Sequence, residues 1–435
     1  MHLTRDILRL NTCGSVDDGK STLIGRLLYD SKSLMDDQLE ALERSADITG
    51  GGQINLANVT DGLRAEREQG ITIDVAYRYF ATPRRKFIIA DTPGHIQYTR
   101  NMVTGASTAN LSIILVDARL GVGEQSRRHA FIASLLRIPH LVVAINKMDL
   151  VNWSEERFLE LREEFESFLP RLDIKDVKFI PISALEGDNV VSASTRTPWY
   201  QGPALLGHLE TVHIASDWNL NGFRLPVQWV NRPNNPTNPA LHDFRGFSGQ
   251  IAGGIVRVGQ QVMALPAGIK ATVKEIRTYE GSVDEAFCPQ SVTVVLNEEI
   301  DISRGDMLVG TDSLPGMSTD LHARICWMHP KALRPGRKYL IKHTSRGAQA
   351  MISSIESRLD IRSFEAEPGA PELELNDIGE IKLKSSTPLV FDGYSTNRLT
   401  GSFILIEPST NATVAAGMLL PPIDAFKPDY ADFAI

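Results

Sequence analysis

The chain has 435 residues, a formal net charge of −8, 42 % hydrophobic residues and 23 % charged residues. This length predicts about three domains of ordinary globular composition. The sequence contains no run of about 18 apolar residues, so we expect no membrane-spanning helix. The acidic balance argues against a broad nucleic-acid surface but not against a local one. The N-terminal residues carry no apolar signal region, and the three cysteines, Cys13, Cys288 and Cys326, are widely spaced. Both features predict a reducing, cytoplasmic location without a disulfide framework or zinc site.

The first motif follows a short alternating stretch at residues 8–12 and precedes leucines at helical spacing. It matches G-x-x-x-x-G-K-S, the P-loop pattern, in which glycines let backbone N–H groups converge on phosphate oxygens. Lys20 would approach the β- and γ-phosphates, and the Ser21 hydroxyl would ligate Mg²⁺. The strand–loop–helix order places a helix N-terminus against the anion. The predicted phosphate-binding residues are Gly14, Ser15, Val16, Asp17, Asp18, Gly19, Lys20, Ser21 and Thr22.

Four short apolar runs, at residues 87–91, 112–117, 141–146 and 177–182, alternate with helical segments up to about residue 215. Near-continuous apolar strands of this kind predict an α/β domain with a mostly parallel sheet and helices on both faces. Ligands of such sheets bind at the carboxyl ends of the strands. We therefore expect the polar motifs that follow these strands to share one site.

Two motifs predict the catalytic part of that site. After the strand at 87–91, Asp91 would hold Mg²⁺ through water, the Gly94 N–H would approach the γ-phosphate, and His95 would position the attacking water. Earlier in the chain, Thr72 would offer its hydroxyl to Mg²⁺, and its segment would order with GTP and relax after hydrolysis. With Lys20, His95 and Thr72 form the predicted catalytic set. Taken alone, a loop histidine is as often a solvated loop residue, and a threonine in a strand is usually structural.

The next motif, Asn146-Lys-Met-Asp149, predicts the base-binding part of the site. The Asp149 carboxylate can accept both guanine N1–H and N2–H, a donor pair that adenine lacks. Asn146 can meet the base edge, and the stem of Lys147 can lie along the ring. At the end of the following strand, backbone N–H groups can reach guanine O6. The residues of that turn are Ser183, Ala184 and Leu185.

Beyond a linker near residues 218–222 the pattern changes to short alternating strands separated by glycine and proline. Such regular strands predict closed antiparallel barrels. The chain therefore divides into a P-loop GTPase domain at 1–217 and two antiparallel β-barrel domains at 222–315 and 318–435. The predicted barrel strands are 224–229, 254–258, 271–276, 291–296, 323–327, 338–342 and 402–406.

These motifs together resemble the translation elongation factor GTPases, through residues 65–68, 70–74, 91–95 and 101–105. Within that superfamily the chain resembles most the family of GTPase subunits (subunit 1, the large subunit) of sulfate adenylyltransferase. The stretches that carry this likeness are 15–29, 97–102, 105–109, 197–203, 227–233, 243–246, 254–259, 299–306, 373–379 and 391–394.

The resemblance implies that GTP hydrolysis is coupled to formation of adenylyl sulfate and pyrophosphate from ATP and sulfate on a separate catalytic small subunit. It also implies that Val16 and Ile71 flank the catalytic histidine and that Asp17 helps to bind a monovalent cation. Ile96 departs from the polar residue expected in this family, which affects the surroundings of His95. Some members continue into an adenylylsulfate kinase domain with its own P-loop; the sequence holds no second P-loop, so we expect no kinase activity.

Two other functions stay open at this point. One is an elongation-factor-like carrier of aminoacyl-tRNA, which the acidic balance and the barrel stretches disfavour. The other is a regulatory switch whose GTP hydrolysis is not coupled energetically to adenylyl transfer. The yield of adenylyl sulfate separates this switch from the coupled GTPase, because a switch cannot shift a reaction beyond its uncoupled equilibrium.

Overall fold

A computed structural model describes residues 7–34, 40, 56, 74–95, 98–174, 176–214, 219–233, 244–360 and 365–422. Within these ranges the chain separates just after Ile214 into two compact units. None of the helices described in these ranges combines the length and the apolar character needed to span a bilayer. The two units are described separately below.

The first unit is built on a six-stranded sheet in the order β2-β3-β1-β4-β5-β6. All neighbouring strands are parallel except the edge pair β2 and β3, which is antiparallel. The strands are β1 Ile7–Cys13, β2 Ala76–Ala81, β3 Lys86–Asp91, β4 Leu111–Asp117, β5 His140–Asn146 and β6 Asp176–Pro181. The helices are α1 Lys20–Asp30, α2 Thr99–Ala106, α3 Glu124–Leu135, α4 Glu155–Glu166 and α5 Leu205–Thr211, with 3₁₀ turns at Met148–Val151 and Leu169–Arg171.

Helices cover both faces of this sheet, as the apolar runs predict. Strand β4 is buried at all seven positions, which is why its sequence has no polar–apolar alternation. On one face, Leu23 and Leu27 of α1 and Leu209 of α5 belong to the same core as the strand residues. On the opposite face, the ring of Phe165 in α4 packs on that of Phe179 at a centroid distance of 5.8 Å.

The parallel arrangement brings the carboxyl ends of the strands to one edge of the sheet. In the β1–β3 pair Thr12 lies opposite Asp91, and in the β4–β5 pair Asp117 lies opposite Asn146. The polar residues that end these strands therefore become neighbours, although Thr12 and Asn146 are 134 positions apart along the chain. This edge is where the predicted motifs meet.

The second unit begins with a curled antiparallel sheet in the order β7-β16-β11-β12-β15-β9-β8, with β13 pairing to β12. Among the described strands no ladder pairs β7 with β8, so this sheet is a half-barrel, and with the closed barrel described below it gives the two antiparallel barrel regions that the sequence predicts. Its strands are β7 Arg224–Pro226, β8 Trp229–Asn231, β9 Gly246–Gln250, β11 Gln261–Leu265, β12 Ile269–Thr278, β13 Gly281–Val283, β15 Ser291–Leu296 and β16 Met307–Gly310. A separate two-stranded sheet pairs β10 Ile255–Arg257 with β14 Glu285–Phe287.

The predicted strand at 224–229 is wrong as a single element, because the chain changes partner in its middle. The Val227 N–H donates to the Asp306 carbonyl at 2.8 Å, which ends the pairing with β16. The Gln228 N–H then donates to the Ser248 carbonyl at 2.9 Å, which begins the pairing with β9. The apolar–polar alternation continues through this change, so the sequence pattern does not mark it.

The remaining strands form a closed six-stranded barrel, as predicted for this region. The ring runs β18-β22-β23-β17-β21-β19 and closes by pairing β19 with β18, while β20 pairs on the outside of β19. The fully buried Trp327 and Tyr339 lie in its core, with ring centroids 5.7 Å apart. The strands are β17 Gly316–Trp327, β18 Lys338–His343, β19 Arg346–Asp360, β20 Glu365–Pro368, β21 Ile378–Phe391, β22 Ser402–Ile406 and β23 Thr413–Leu419.

A buried ion pair joins the half-barrel to the closed barrel within the second unit. Arg224 donates two parallel hydrogen bonds to Asp392, each 2.9 Å long, and its side chain is 4 % exposed. The Arg224 guanidinium also donates to the Ser313 carbonyl at 2.7 Å, and the Thr400 hydroxyl donates to Asp392 at 2.7 Å. Because every charged atom has a partner, the pair can exist away from water.

We expect Asp392→Asn to lower the free energy of unfolding of the second unit by about 3 kcal/mol, because it leaves the buried Arg224 charge uncompensated. Urea denaturation followed by tryptophan fluorescence measures this change. Glu367→Gln, which breaks the exposed pair between Arg358 and Glu367, is the matched control and should cost under about 0.5 kcal/mol. Equal losses in the two variants would contradict the role given to the buried pair.

Candidate nucleotide-binding site

The P-loop connects β1 to α1 and has a glycine where its backbone needs one. Gly19 precedes the helix with φ of 93°, a left-handed conformation that side chains disfavour. A Cβ atom at this position would lie only 2.5 Å from Nδ2 of Asn146. The second glycine of the motif is therefore required both by its backbone angle and by the approach of the base-binding motif.

Lys20 lies over the loop, with its ammonium group held by the loop backbone. Its Nζ donates to the Gly14 carbonyl at 2.9 Å and to the Ser15 carbonyl at 2.7 Å. Burial lowers the pKa of Lys20, and the nearby carboxylates of Asp91 and Asp18 oppose that shift. A buried cation at this place attracts an anion strongly, because water screens it little.

The two aspartates of the loop are used differently. The carboxylate of Asp18 is buried and accepts the Ser15 N–H at 2.5 Å, so it shapes the loop from within. Burial raises the pKa of Asp18. Asp17 adopts a left-handed φ of 68° and is exposed, and its carbonyl accepts a hydrogen bond from Lys147.

The loop after β3 packs directly on the P-loop. The Thr12 hydroxyl donates to the buried Asp91 carboxylate at 3.4 Å. A Cβ atom on Gly94 would lie 2.2 Å from the Gly14 carbonyl oxygen and 2.6 Å from Nζ of Lys20, so only glycine fits there. His95 follows in a half-buried position, with its ring centroid 6.1 Å from that of Tyr98.

Several predicted residues occupy the first turn of α1 or fall outside the described ranges. Ser21 and Thr22 are half-buried at the start of α1, and Val16 is 39 % exposed. Thr72, Ile71 and Ile96 lie outside the described residues. The oxygens that the structure brings to this edge are a serine hydroxyl and a carboxylate, which are hard donors of the kind that Mg²⁺ prefers.

Asn146 connects the phosphate end of the site to the base end. Its Nδ2 donates to the Asp18 carbonyl at 2.7 Å, and its Oδ1 accepts the Ala184 N–H at 2.9 Å. The side chain is 2 % exposed. One amide group thus fixes the P-loop relative to the turn that carries Ser183, Ala184 and Leu185.

That turn is also held from α1 by a residue that the motifs do not include. Arg26 donates from Nε to the Ala184 carbonyl at 3.2 Å and from its guanidinium to the Leu185 carbonyl. Ser183 is fully buried, and its hydroxyl accepts the Glu186 N–H at 3.1 Å, whereas Leu185 is 52 % exposed. The Ser183 N–H donates to the Asp188 carbonyl at 3.2 Å and the Ala184 N–H donates to Asn146, which leaves the N–H of Leu185, at the exposed end of the turn, to meet a base edge.

The other residues predicted to bind the base lie on a strained turn after β5. Lys147 has a left-handed φ of 64°, and the half-buried Asp149 follows in the 3₁₀ turn Met148–Val151. Sequence motifs did not identify Asp117, whose carboxylate lies 2.9 Å from Nζ of Lys147. Its position as the polar end of an apolar strand is the signal that would have found it, as it found Asp91 and Asn146.

We expect Asp149→Asn to reduce affinity for GTP at least about 100-fold and to favour xanthosine triphosphate, because the amide donates where the carboxylate accepted two hydrogen bonds. Calorimetric titration with each nucleotide measures both affinities. Asp301→Asn, at a fully exposed position of the second unit, is the control and should change neither. If the Asp149 variant keeps the same base preference, Asp149 does not recognise guanine.

Comparisons with known proteins agree with this geometry. The family profile described as Elongation factor Tu GTP binding domain matches residues 5–220, and the profile described as GTP-eEF1A C-terminal domain-like matches residues 320–420. Sulfate adenylyltransferase subunit 1 of Bacteroides fragilis is 54 % identical over 98 % of this chain and 89 % of its own length. The namesake from Alteromonas mediterranea is 51 % identical over 100 % of this chain and 92 % of its own. The Bifunctional enzyme CysN/CysC of Mycobacterium tuberculosis is 56 % identical over 97 % of this chain and 68 % of its own length.

Proposed function

Since the chain belongs to the family of sulfate adenylyltransferase subunit 1, we propose that it hydrolyses GTP to drive the formation of adenylyl sulfate and pyrophosphate from ATP and sulfate by a partner catalytic subunit. The observation that supports this proposal most directly is the Asn146 amide, which links the P-loop at Asp18 to the turn at Ala184. That link gives phosphate binding and base binding one rigid frame. The coupled reaction, formation of adenylyl sulfate, is inferred from the name of the relatives, sulfate adenylyltransferase subunit 1.

In this proposal the nucleotide is bound along the carboxyl edge of the sheet. The P-loop amides and Lys20 bind the phosphates, while Asp149, Lys147 and the 183–185 turn bind guanine. Ser21, Thr72 and Asp91 would hold Mg²⁺, Asp91 through water, and the metal would neutralise charge on the β- and γ-phosphates. A monovalent cation beside Asp17 is a further part of the proposal, and the exposed carboxylate of Asp17 is the group that would contact it.

Hydrolysis then needs a positioned water and little covalent chemistry from the protein. His95 orients the water whose oxygen bonds to the γ-phosphorus, while the bond from that phosphorus to the bridging oxygen breaks and GDP leaves. Gly94 brings His95 next to the loop, because no side chain separates Gly94 from the Gly14 carbonyl and Lys20. Val16, 39 % exposed on the loop, is the apolar residue available to restrict the histidine.

Coupling requires an element with two arrangements that both reactions bias. We assign this role to the segment around Thr72 together with the segment after Asp91, since both contact the γ-phosphate in the proposed complex. Adenylyl transfer itself takes place on the partner, where a sulfate oxygen displaces pyrophosphate from the α-phosphorus of ATP. We also place the pair in the cytoplasm, because the three cysteines, Cys13, Cys288 and Cys326, are widely spaced in the sequence and buried.

The experiment that tests the proposal is GTP turnover by the pure chain with the partner subunit, ATP and sulfate added singly and together. We expect turnover to rise at least about tenfold only in the full mixture, and adenylyl sulfate to exceed the yield of the reaction without GTP. Turnover that ignores the partner and its substrates would contradict coupling. A stimulated turnover without extra adenylyl sulfate would instead favour a regulatory switch, and GTP-dependent retention of charged tRNA would favour a carrier.

We expect His95→Ala to lower kcat for GTP hydrolysis about 10²–10⁴-fold, the usual contribution of a group that positions or activates water. The Kd for GTP should change less than threefold, because the side chain acts on the water and not on the nucleotide. Single-turnover hydrolysis and calorimetry measure the two quantities. His213→Ala, at an exposed position outside the site, is the control. A large loss of affinity would make His95 a binding residue.

A further inference from the structure

A buried carboxylate that the nucleotide-binding motifs do not include lies behind the base-binding turn. Asp117 is the last residue of β4, lies opposite Asn146 in the β4–β5 register and is 2 % exposed. Its Oδ2 lies 2.9 Å from Nζ of Lys147. The same carboxylate accepts the backbone N–H of Arg119 at 2.9 Å and the Arg119 guanidinium at 3.1 and 2.7 Å.

These contacts keep the carboxylate ionised although it is buried. Burial alone would favour the protonated acid, but the hydrogen bonds from Arg119 and Lys147 outweigh it and hold the pKa of Asp117 well below its usual range. Arg119 lies on the solvent side, with its side chain 46 % exposed. Two cations therefore share one buried anion, and only Lys147 belongs to the base-binding motif.

Lys147 needs such an anchor because its backbone is strained. A non-glycine residue in the left-handed region costs on the order of 1 kcal/mol and persists only where the surroundings fix it. The ammonium group of Lys147 is fixed twice, by Asp117 and by the Asp17 carbonyl of the P-loop. The anchored side chain is 22 % exposed, so it remains accessible along its stem while its charge is directed inward.

We propose that Asp117 is a positioning residue for the guanine nucleotide, acting through Lys147. By holding the ammonium group, Asp117 fixes the stem of Lys147 as a wall of the base pocket and fixes the Lys147 backbone that leads to Asp149. This inference rests on the proposed function, since it assumes that the site binds GTP. According to this inference, Asp117 increases the affinity for both GTP and GDP and does not change the rate of the hydrolysis step.

The test compares Asp117→Asn with the parent chain by calorimetry using GTP and GDP, and by saturated GTP turnover. We expect the Kd of both nucleotides to rise about tenfold, the size expected for loss of one charge-assisted hydrogen bond. We expect kcat to stay within twofold, because an interaction made equally in both states changes binding alone. Asp173→Asn, which removes the exposed partner of Arg137 in the same unit, is the control and should change neither quantity.

A second arm asks whether Asp117 acts through Lys147. In a Lys147→Met background, which keeps the stem but removes the charge, Asp117→Asn should cost less than a further twofold in Kd. A full tenfold loss in that background would overturn the inference, and so would unchanged affinity in the single variant. If Asp117→Asn lowers the melting temperature by more than about 5 °C, the test rests on Lys147→Met alone. The inference then requires Lys147→Met to raise the Kd of GTP and of GDP by the same factor.

The parent chain separates this inference from the proposed function. If the parent binds no guanine nucleotide, the proposed function fails, whatever the variants do. If the parent binds GTP and the Asp117 variant binds it equally well, the proposed function stands and the positioning role of Asp117 is wrong.

Discussion

The first unit depends on one buried amide. Asn146 uses its donor on the P-loop and its acceptor on the turn after β6, so two loops from distant parts of the sequence have a fixed separation. Both hydrogen bonds are made away from water, where an unpaired amide would cost about 1–3 kcal/mol. The packing of Gly19 against the same side chain completes the arrangement. With the P-loop and the 183–185 turn at a fixed separation, a nucleotide fits only if its phosphates and its base both match the site.

Around that amide, buried charge is balanced locally in small groups. Lys20 has backbone carbonyls and the field of Asp91 and Asp18, while Asp117 has Lys147 and Arg119. Each buried ion is thus compensated within a few ångströms, as low local dielectric requires. In the second unit, the buried charges of Arg224 and Asp392 compensate each other in the same way. In both units the charged groups join elements that are remote in sequence.

Much of this arrangement could be predicted from the sequence, and the rest could not for physical reasons. The parallel strands were predictable because burial on both faces removes polar residues, as in β4. The P-loop and Asn146 were predictable because the chemistry of phosphate and guanine demands those residue types at those spacings. Arg26 acts through tertiary contacts, which leave no local pattern, whereas Asp117 is marked in the sequence only as the polar end of an apolar strand. The split at Val227 was missed for the related reason that alternation depends on burial and not on which strand is the partner.

The ion pair between Arg224 and Asp392 has a mechanical consequence for the second unit. A bidentate pair with Ser313 and Thr400 as further partners leaves little freedom for twisting or sliding between the half-barrel and the closed barrel. These two sheets of the second unit are therefore held in one relative position. Because this ion pair joins the two sheets within one compact unit, we expect a large displacement of the unit to move both sheets together.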